Sequence, residues 1–214
     1  MIFDMTKRKG GGGGEPQEVP EGYTQLRYIK SSGAQYIDTG VAPTLETKMW
    51  AQGFFLAGNG GFYPIMGSSN PSCQMGSYKE TGAGAAFNSF GNQTDKQIPT
   101  ALLAGEQPPT IEIDKNGATI TTEGVVAVSV SFSATTMSGS AATHIALFGR
   151  GNSGSFERFA KAAIYRAKIY DNGVLIREFV PCIQKSNNEV GMYDIVNDVF
   201  YGNDGTGVFE GVEL

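Results

Sequence analysis

The sequence predicts an all-β fold, a sandwich or barrel of short strands behind a flexible N-terminal arm. Three observations predict it. Short segments with alternating apolar and polar residues recur along the chain, and side chains on a strand point to opposite faces in turn. Glycine is abundant, 30 of 214 residues, and Gly-rich turns separate the segments at the short spacing of a sandwich or barrel. No stretch carries the 3.6-residue apolar period of an amphipathic helix.

The elements follow in order. Residues 1–20 read as an arm. Met1-Ile2-Phe3-Asp4-Met5-Thr6-Lys7-Arg8-Lys9 is a short apolar-basic peptide, Gly10 to Gly14 is a flexible joint, and Glu15 to Pro20 is stiffer around its prolines. Residues 21–214 read as one domain. Tyr23, Leu26, Tyr28 and Ile29 supply apolar bulk, Ser31-Ser32-Gly33 is a turn, and Gln35 to Gly40 is a strand ending at glycine. Lys48 to Leu56 is a core strand that holds the only tryptophan, Trp50. Pro64 to Ser68 is a short strand before a loop through Cys73. The Gly/Ala/Ser/Asn-rich middle, Gly76 to Gly105, is interrupted by a strand at Phe87 to Phe90. Pro109 to Asp114 alternates, Lys115-Asn116-Gly117 closes a hairpin onto Ala118 to Thr122, and Val125 to Phe132 gives one more strand. Ala142 to Phe148 is a buried run.

The last part organises the chain. In Ile164 to Tyr170, Tyr165, Ala167 and Ile169 are apolar while Arg166 and Lys168 take the opposite face. Asn172-Gly173 tolerates positive φ and closes a hairpin onto Val174 to Val180. Pro181 lacks a ladder donor and is expected to end that strand or mark an edge. Gly191 to Ile195 and Val199 to Gly202 form a second hairpin around Val196-Asn197-Asp198.

Composition narrows the function. With 40% hydrophobic and 17% charged residues the chain can build a core. A net charge of −5 argues against a nucleic-acid partner. No apolar run is long enough to span a membrane, and no apolar h-region follows the basic residues of the start, so no secretory signal is expected. Cys73 and Cys182 are too few for a disulfide framework and read as free buried thiols.

Leu26 to Gly40 resembles an EYIESTGTQYIDTG signature. Ala146 to Gly149, Lys168 to Gly173, Arg177 to Cys182, Val190 to Asp194, Phe200 to Asn203 and Gly205 to Gly207 continue the likeness. Together they resemble the concanavalin A-like (laminin-G-like) jelly-roll domains of phage and prophage structural proteins from gut Firmicutes and their relatives. The middle, from about Ala42 to Thr143, matches only in strand rhythm. The resemblance implies two stacked antiparallel sheets and a binding or structural role on a virion or at a cell surface.

Rings stack on sugar faces and amides bind hydroxyls, so Trp50, Phe62, Tyr63, Tyr78, Phe87, Asn88 and Phe90 are the ligand-binding candidates. Glu112 and Asp114 match two positions of the E-x-D-x-E strand of jelly-roll glucanases, but the third is Asn116, so the general acid is missing and a hairpin turn is expected instead. His144 is the only histidine and reads as a satisfied, partly buried side chain. Asp194, Asp198, Asn203 and Asp204 could offer oxygens to calcium, though turn chemistry accounts for them equally well.

The expected function is a phage virion structural protein, a fibre, tail-tip or capsid-decoration component, made in the host cytoplasm and located on the virion. Ile2, Phe3, Met5, Lys7, Arg8 and Lys9 would attach the arm to other virion proteins, and the jelly roll would bind host or mucosal glycans. The alternative is a stand-alone carbohydrate-binding module of a bacterial surface protein, with a glycoside hydrolase third. No enzyme activity, cofactor or membrane partner is expected, calcium excepted as the open case; a homo-oligomer is.

Overall fold

The computed structural model of the protein describes residues 17–59, 61–70, 72–79, 85–98, 108–137, 139 and 142–214, with the backbone alone at 77–79, 85–87, 94–96 and 98. The six anchor candidates from Ile2 to Lys9 lie outside the described residues. So do the side chains of Tyr78 and Phe87.

The described residues form strands and turns. In chain order the strands are β1 (Tyr23–Ser32), β2 (Ile37–Asp38), β3 (Thr47–Phe55), β4 (Met66–Ser69), β5 (Ser72–Lys79) and β6 (Ala85–Phe90). There follow β7 (Gln93–Ile98), β8 (Thr110–Asp114), β9 (Gly117–Thr122), β10 (Val125–Ser131), β11 (Ala146–Leu147) and β12 (Arg150–Asn152). The last are β13 (Ser155–Glu157), β14 (Lys161–Asp171), β15 (Val174–Gln184), β16 (Glu189–Asp194), β17 (Val199–Tyr201) and β18 (Glu210–Glu213). The larger sheet runs β10-β9-β8-β3-β14-β1-β15-β16-β17, with β18 also on β1. The smaller runs β13-β12-β4-β5-β6-β7, with β11 joining β4 to β2. Pairing is antiparallel apart from one parallel bridge, Gly151 to Ser68. This is the predicted two-sheet sandwich.

Alternation along each strand builds the interior. On β3 the buried residues are Thr47, Met49, Ala51, Gly53 and Phe55, while Lys48, Trp50, Gln52 and Phe54 face out. Ile111, Ile113 and Ile120 from the larger sheet meet Met66, Met75 and Phe90 from the smaller in one core, all fully buried. Fully burying such a side chain contributes about 1.5–3 kcal/mol.

The β14–β15 hairpin is closed by Asn172 (φ 50°) and Gly173 (φ 76°), the pair of positive φ values its two-residue turn requires. The hairpin then opens like a fork. β14 and β15 pair as far as Ala167 and Phe179. Beyond that β1 enters between the prongs, taking Ile164 to Lys161 on one side and Cys182 to Gln184 on the other. Pro181 sits where β15 exchanges one partner for the other, so β15 continues through it to Gln184 instead of ending there. The missing donor costs least at a gap between two ladders.

Two bulges break the alternation read from the sequence. One lies in β14 between Ile164 and Arg166, the other in β1 between Leu26 and Tyr28. A bulge inserts one residue and reverses which face the following side chains take. Ala162, Ile164, Ala167 and Ile169 all reach the core, so Tyr165 does not share a face with Ala167. Tyr165 turns outward onto Tyr28 (ring centroids 4.6 Å apart) and Phe54 (6.2 Å).

The folded body takes in Gln17–Pro20, which the sequence reading gave to the arm. Val19 is 5% exposed and closes a second small core with Val180, Cys182 and Tyr193 on the outer side of the larger sheet. Glu18 holds Arg166 through both carboxylate oxygens, at 2.9 and 2.7 Å. These residues cover the β15–β17 end of the outer face, and among the described residues none covers the β14–β10 end.

Candidate functional site

The open part of that outer face is built from the outward residues of β3, β8, β9, β14 and β1. Cross-strand registry sets Trp50 between Glu112 on β8 and Lys168 on β14. The Lys168 ammonium stands 5.4 Å from the Trp50 ring centroid, within cation–π range. Charges around Trp50 are spent on one another. Lys48 pairs with Glu112 at 2.8 Å, and Lys168 with Glu178 at 3.0 Å. Arg166 bridges Glu178 and Glu18; that hydrogen bond holds the Glu18 carboxyl below its ordinary value and raises the Arg166 guanidinium.

The neighbouring cleft is different. Two residues further along β3, on the same face and about 7 Å from Trp50, Gln52 forms its floor with Thr110 and Thr121. Arg27, Tyr165 and the β9–β10 turn at Glu123 wall a space of about 460 Å³. Among the described residues, the side chains of Arg27, Gln52, Thr110, Thr121 and Glu123 have no hydrogen-bond or ion-pair partner. Thr122 also lines the cleft, and its buried Oγ1 has no hydrogen-bond partner among the described residues. Arg27 and Glu123 are exposed and Gln52, Thr110 and Thr121 part-exposed, so water meets these groups and a ligand's polar groups can take its place. Both bulges serve this place, since they turn Tyr28 and Tyr165 to the outside beside Arg27 and Gln52. Gly53 completes the fit, because a Cβ there would strike the Ala163 carbonyl opposite the β14 bulge.

The predicted ligand residues do not form one site. Trp50 borders the cleft. Phe62 is 36% exposed in the loop before β4, and Tyr63 is half-buried against the main core. Phe90 and Asn88 belong to the smaller sheet and are fully buried. Phe90 is part of the core, and Asn88 Oδ1 accepts the Gly76 N–H at 2.8 Å where β5 bulges, so neither can meet a ligand on the surface. Sequence reasoning missed Gln52, Arg27, Thr110, Thr121 and Tyr165. A polar residue flanked by core positions, as Gln52 is, was the one signal available for them.

The remaining candidates have local partners. Asp114 Oδ1 accepts the backbone N–H of Asn116 (2.7 Å) and Gly117 (3.2 Å), which makes it the organiser of the β8–β9 turn. His144 Nδ1 lies 3.0 and 3.1 Å from the two Asp38 oxygens. Asp194 is wholly buried and accepts from Glu178 N, Val196 N and Asn197 Nδ2. Asp204 Oδ2 accepts the Asp38 N–H, and Asn203 ties its own loop through Gly205 and Gly207. The four oxygen-bearing residues considered for calcium thus serve two different turns. Among the described residues no three His, Cys, Asp or Glu side chains converge.

No family model matches the chain. No curated protein matches it by sequence. Among solved structures, the fold is similar to that of a candidate carbohydrate-binding protein from Bacteroides ovatus ATCC 8483, with a TM-score of 0.53 and 9% identity. The likeness covers 89% of this chain and 61% of that one, so this chain spans less than two thirds of that protein. At such identity the likeness speaks to the sandwich fold alone.

Proposed function

We propose that this protein is a carbohydrate-binding module and that the cleft between Gln52 and Tyr165 holds the sugar. One observation carries the reading: a row of amide, hydroxyl, guanidinium and carboxylate groups with no partner among the described residues lies beside an aromatic cluster, on a face where the charges around Trp50 are paired with one another. Sugars present alternating hydroxyls and C–H faces, which such groups and rings bind together. The Bacteroides ovatus neighbour, itself a candidate carbohydrate-binding protein, supports the same reading. A glycan array followed by calorimetry tests it. Gln52→Ala and Arg27→Ala should each weaken binding roughly tenfold, the worth of one good hydrogen bond, and Tyr165→Ala should weaken it further. No binding to any glycan, or full affinity in Gln52→Ala, would refute the assignment.

We infer further that the module is displayed on a phage particle. This rests on the family resemblance and on the apolar-basic peptide Ile2 to Lys9 ahead of a glycine joint. Deleting residues 1–14 should abolish incorporation into particles while leaving glycan affinity unchanged. Normal assembly of the truncated protein would end that part of the proposal.

A further inference from the structure

The larger sheet ends in β10, Val-Val-Ala-Val-Ser-Val-Ser, without a charge, proline or glycine. Exposed edges usually carry a device against pairing with other chains: shortness, charge, proline or a cover. The other sheet edges have one. β17 and β13 are three residues long, and β7 carries Asp95 and Lys96. β10 has only a bulge near its start, between Val126 and Val128. Val125 is 69% and Val126 59% exposed. Among the described residues, the far side of β10 pairs with no strand.

We propose that β10 is a self-association edge that pairs antiparallel with β10 of a second copy, joining the two larger sheets into one. Geometry selects this occupant and this direction. Directly opposed residues in a ladder share a face. Past the bulge β10 is regular, with Val128 and Val130 turned to the core and Ser129 and Ser131 outward. An antiparallel pair centred on Ser129 sets Val128 opposite Val130 of the second copy, both on the core side. Its two-fold axis stands normal to the sheet and is closed, so the pairing stops at two. Parallel self-pairing about a two-fold axis would turn the core faces of the two copies to opposite sides of the joined sheet. No like charges meet, because Glu123, the nearest ionisable group in sequence, falls beyond the paired residues.

The pairing has a consequence that rests on the cleft reading. Both clefts would open on the same side of the joined sheet. From β3 of one copy to β3 of the other is seven strand spacings, about 34 Å, so one multivalent glycan surface could engage both.

Sedimentation velocity on the full chain across a wide concentration range tests the pairing. The wild-type protein should sediment as a concentration-dependent dimer. Ser129→Lys, on an exposed outward position, sets two ammonium groups face to face and should give a folded monomer by circular dichroism. Mixing Ser129→Lys with Ser129→Glu should restore a dimer of unlike chains. Deleting residues 1–14 should leave the dimer intact. A wild-type monomer at every concentration, or a dimer that Ser129→Lys does not weaken, overturns the proposal. So does a dimer that vanishes on deleting residues 1–14, which would assign the edge to the N-terminal segment. Glycan affinity of the Ser129→Lys monomer at a single site should be unchanged, so failure of the dimer and failure of the cleft are told apart.

Discussion

Replacing Asp194 by alanine should destabilise the protein by about 4 kcal/mol. The carboxylate is 0% exposed. Oδ1 accepts the Glu178 N–H at 3.0 Å and the Val196 N–H at 3.1 Å, while Oδ2 accepts Asn197 Nδ2 at 2.7 Å and lies 3.5 Å from Arg177 Nε. Hydrogen bonds to a charged group contribute about 1.5–3 kcal/mol each, but bonds to one acceptor are not additive. Truncation also leaves donors at Glu178, Val196 and Asn197 facing a void, and the part-exposed Arg177 without its anion. About 4 kcal/mol is a large share of the 5–15 kcal/mol that holds a typical domain. Asp194→Asn keeps one carbonyl oxygen for the two backbone donors but turns its amide toward that of Asn197, and should cost about half as much. Asp198→Ala, in the same turn at φ 57°, loses no buried acceptor and should cost less than about 1 kcal/mol. Urea unfolding followed by tryptophan fluorescence measures all three, with the midpoint moving and the slope unchanged. An Asp194→Ala midpoint within error of the wild type would refute the reasoning. A wild-type protein that falls to the variant's stability in EDTA would do so as well, since the carboxylate would then be a calcium ligand.

Other outcomes follow from the same coordinates. Gly151→Ala should unfold at markedly lower urea, by about 3 kcal/mol or more, because a Cβ there would run into the His144 carbonyl at the β12–β4 bridge; a neutral result would mean this rim relaxes freely. A chain beginning at Glu21 should be less stable than one beginning at Gln17 by about 2 kcal/mol, having lost Val19 from the second core and the Glu18–Arg166 pair. Glu18 titrates below its ordinary 4.5 because Arg166 donates to it. Its contribution is therefore fully present above pH 4.5 and is lost as pH falls through the depressed value, so Glu18→Gln should lower stability near neutrality, leave it unchanged once the carboxyl is protonated, and so flatten the acid limb of the stability curve. Burial pushes the Cys182 thiol up to about 12 and raises that of Cys73 as well; iodoacetamide should label neither in native protein at neutral pH and both in urea.

Much of the fold was legible because its signals are local. The Asn172-Gly173 turn, the β8–β9 hairpin around Asp114 to Gly117 and the alternation of β3 depend on residues close in sequence, and each stands where it was expected. β5 and β7 were not legible. Ser72–Lys79 and Gln93–Ile98 lack the β-branched or aromatic runs that mark a strand, and pairing with β4 and β6 makes them strands. Pro181 was misjudged for the same reason: its cost depends on what lies beside it, and β1 arrives there from more than a hundred residues away. The candidate site fared worse. Aromatic side chains were chosen by type, and type does not say which face a side chain takes. Phe90 went to the core, whereas Tyr165, expected on one face with Ala167 and Ile169, went to the surface.

What the amino-acid order determined alone was the rhythm: extended segments with one greasy side, turns where backbone freedom is needed, and hence two layers around a shared interior. What only the assembled sheets decided was where that rhythm slips. A bulge belongs to a pair of strands and not to either one, so the slips at Arg27 and Tyr165 are invisible until β1 lies against β18 and β14 against β3. Those slips lay an arginine, an amide and a tyrosine around one recess.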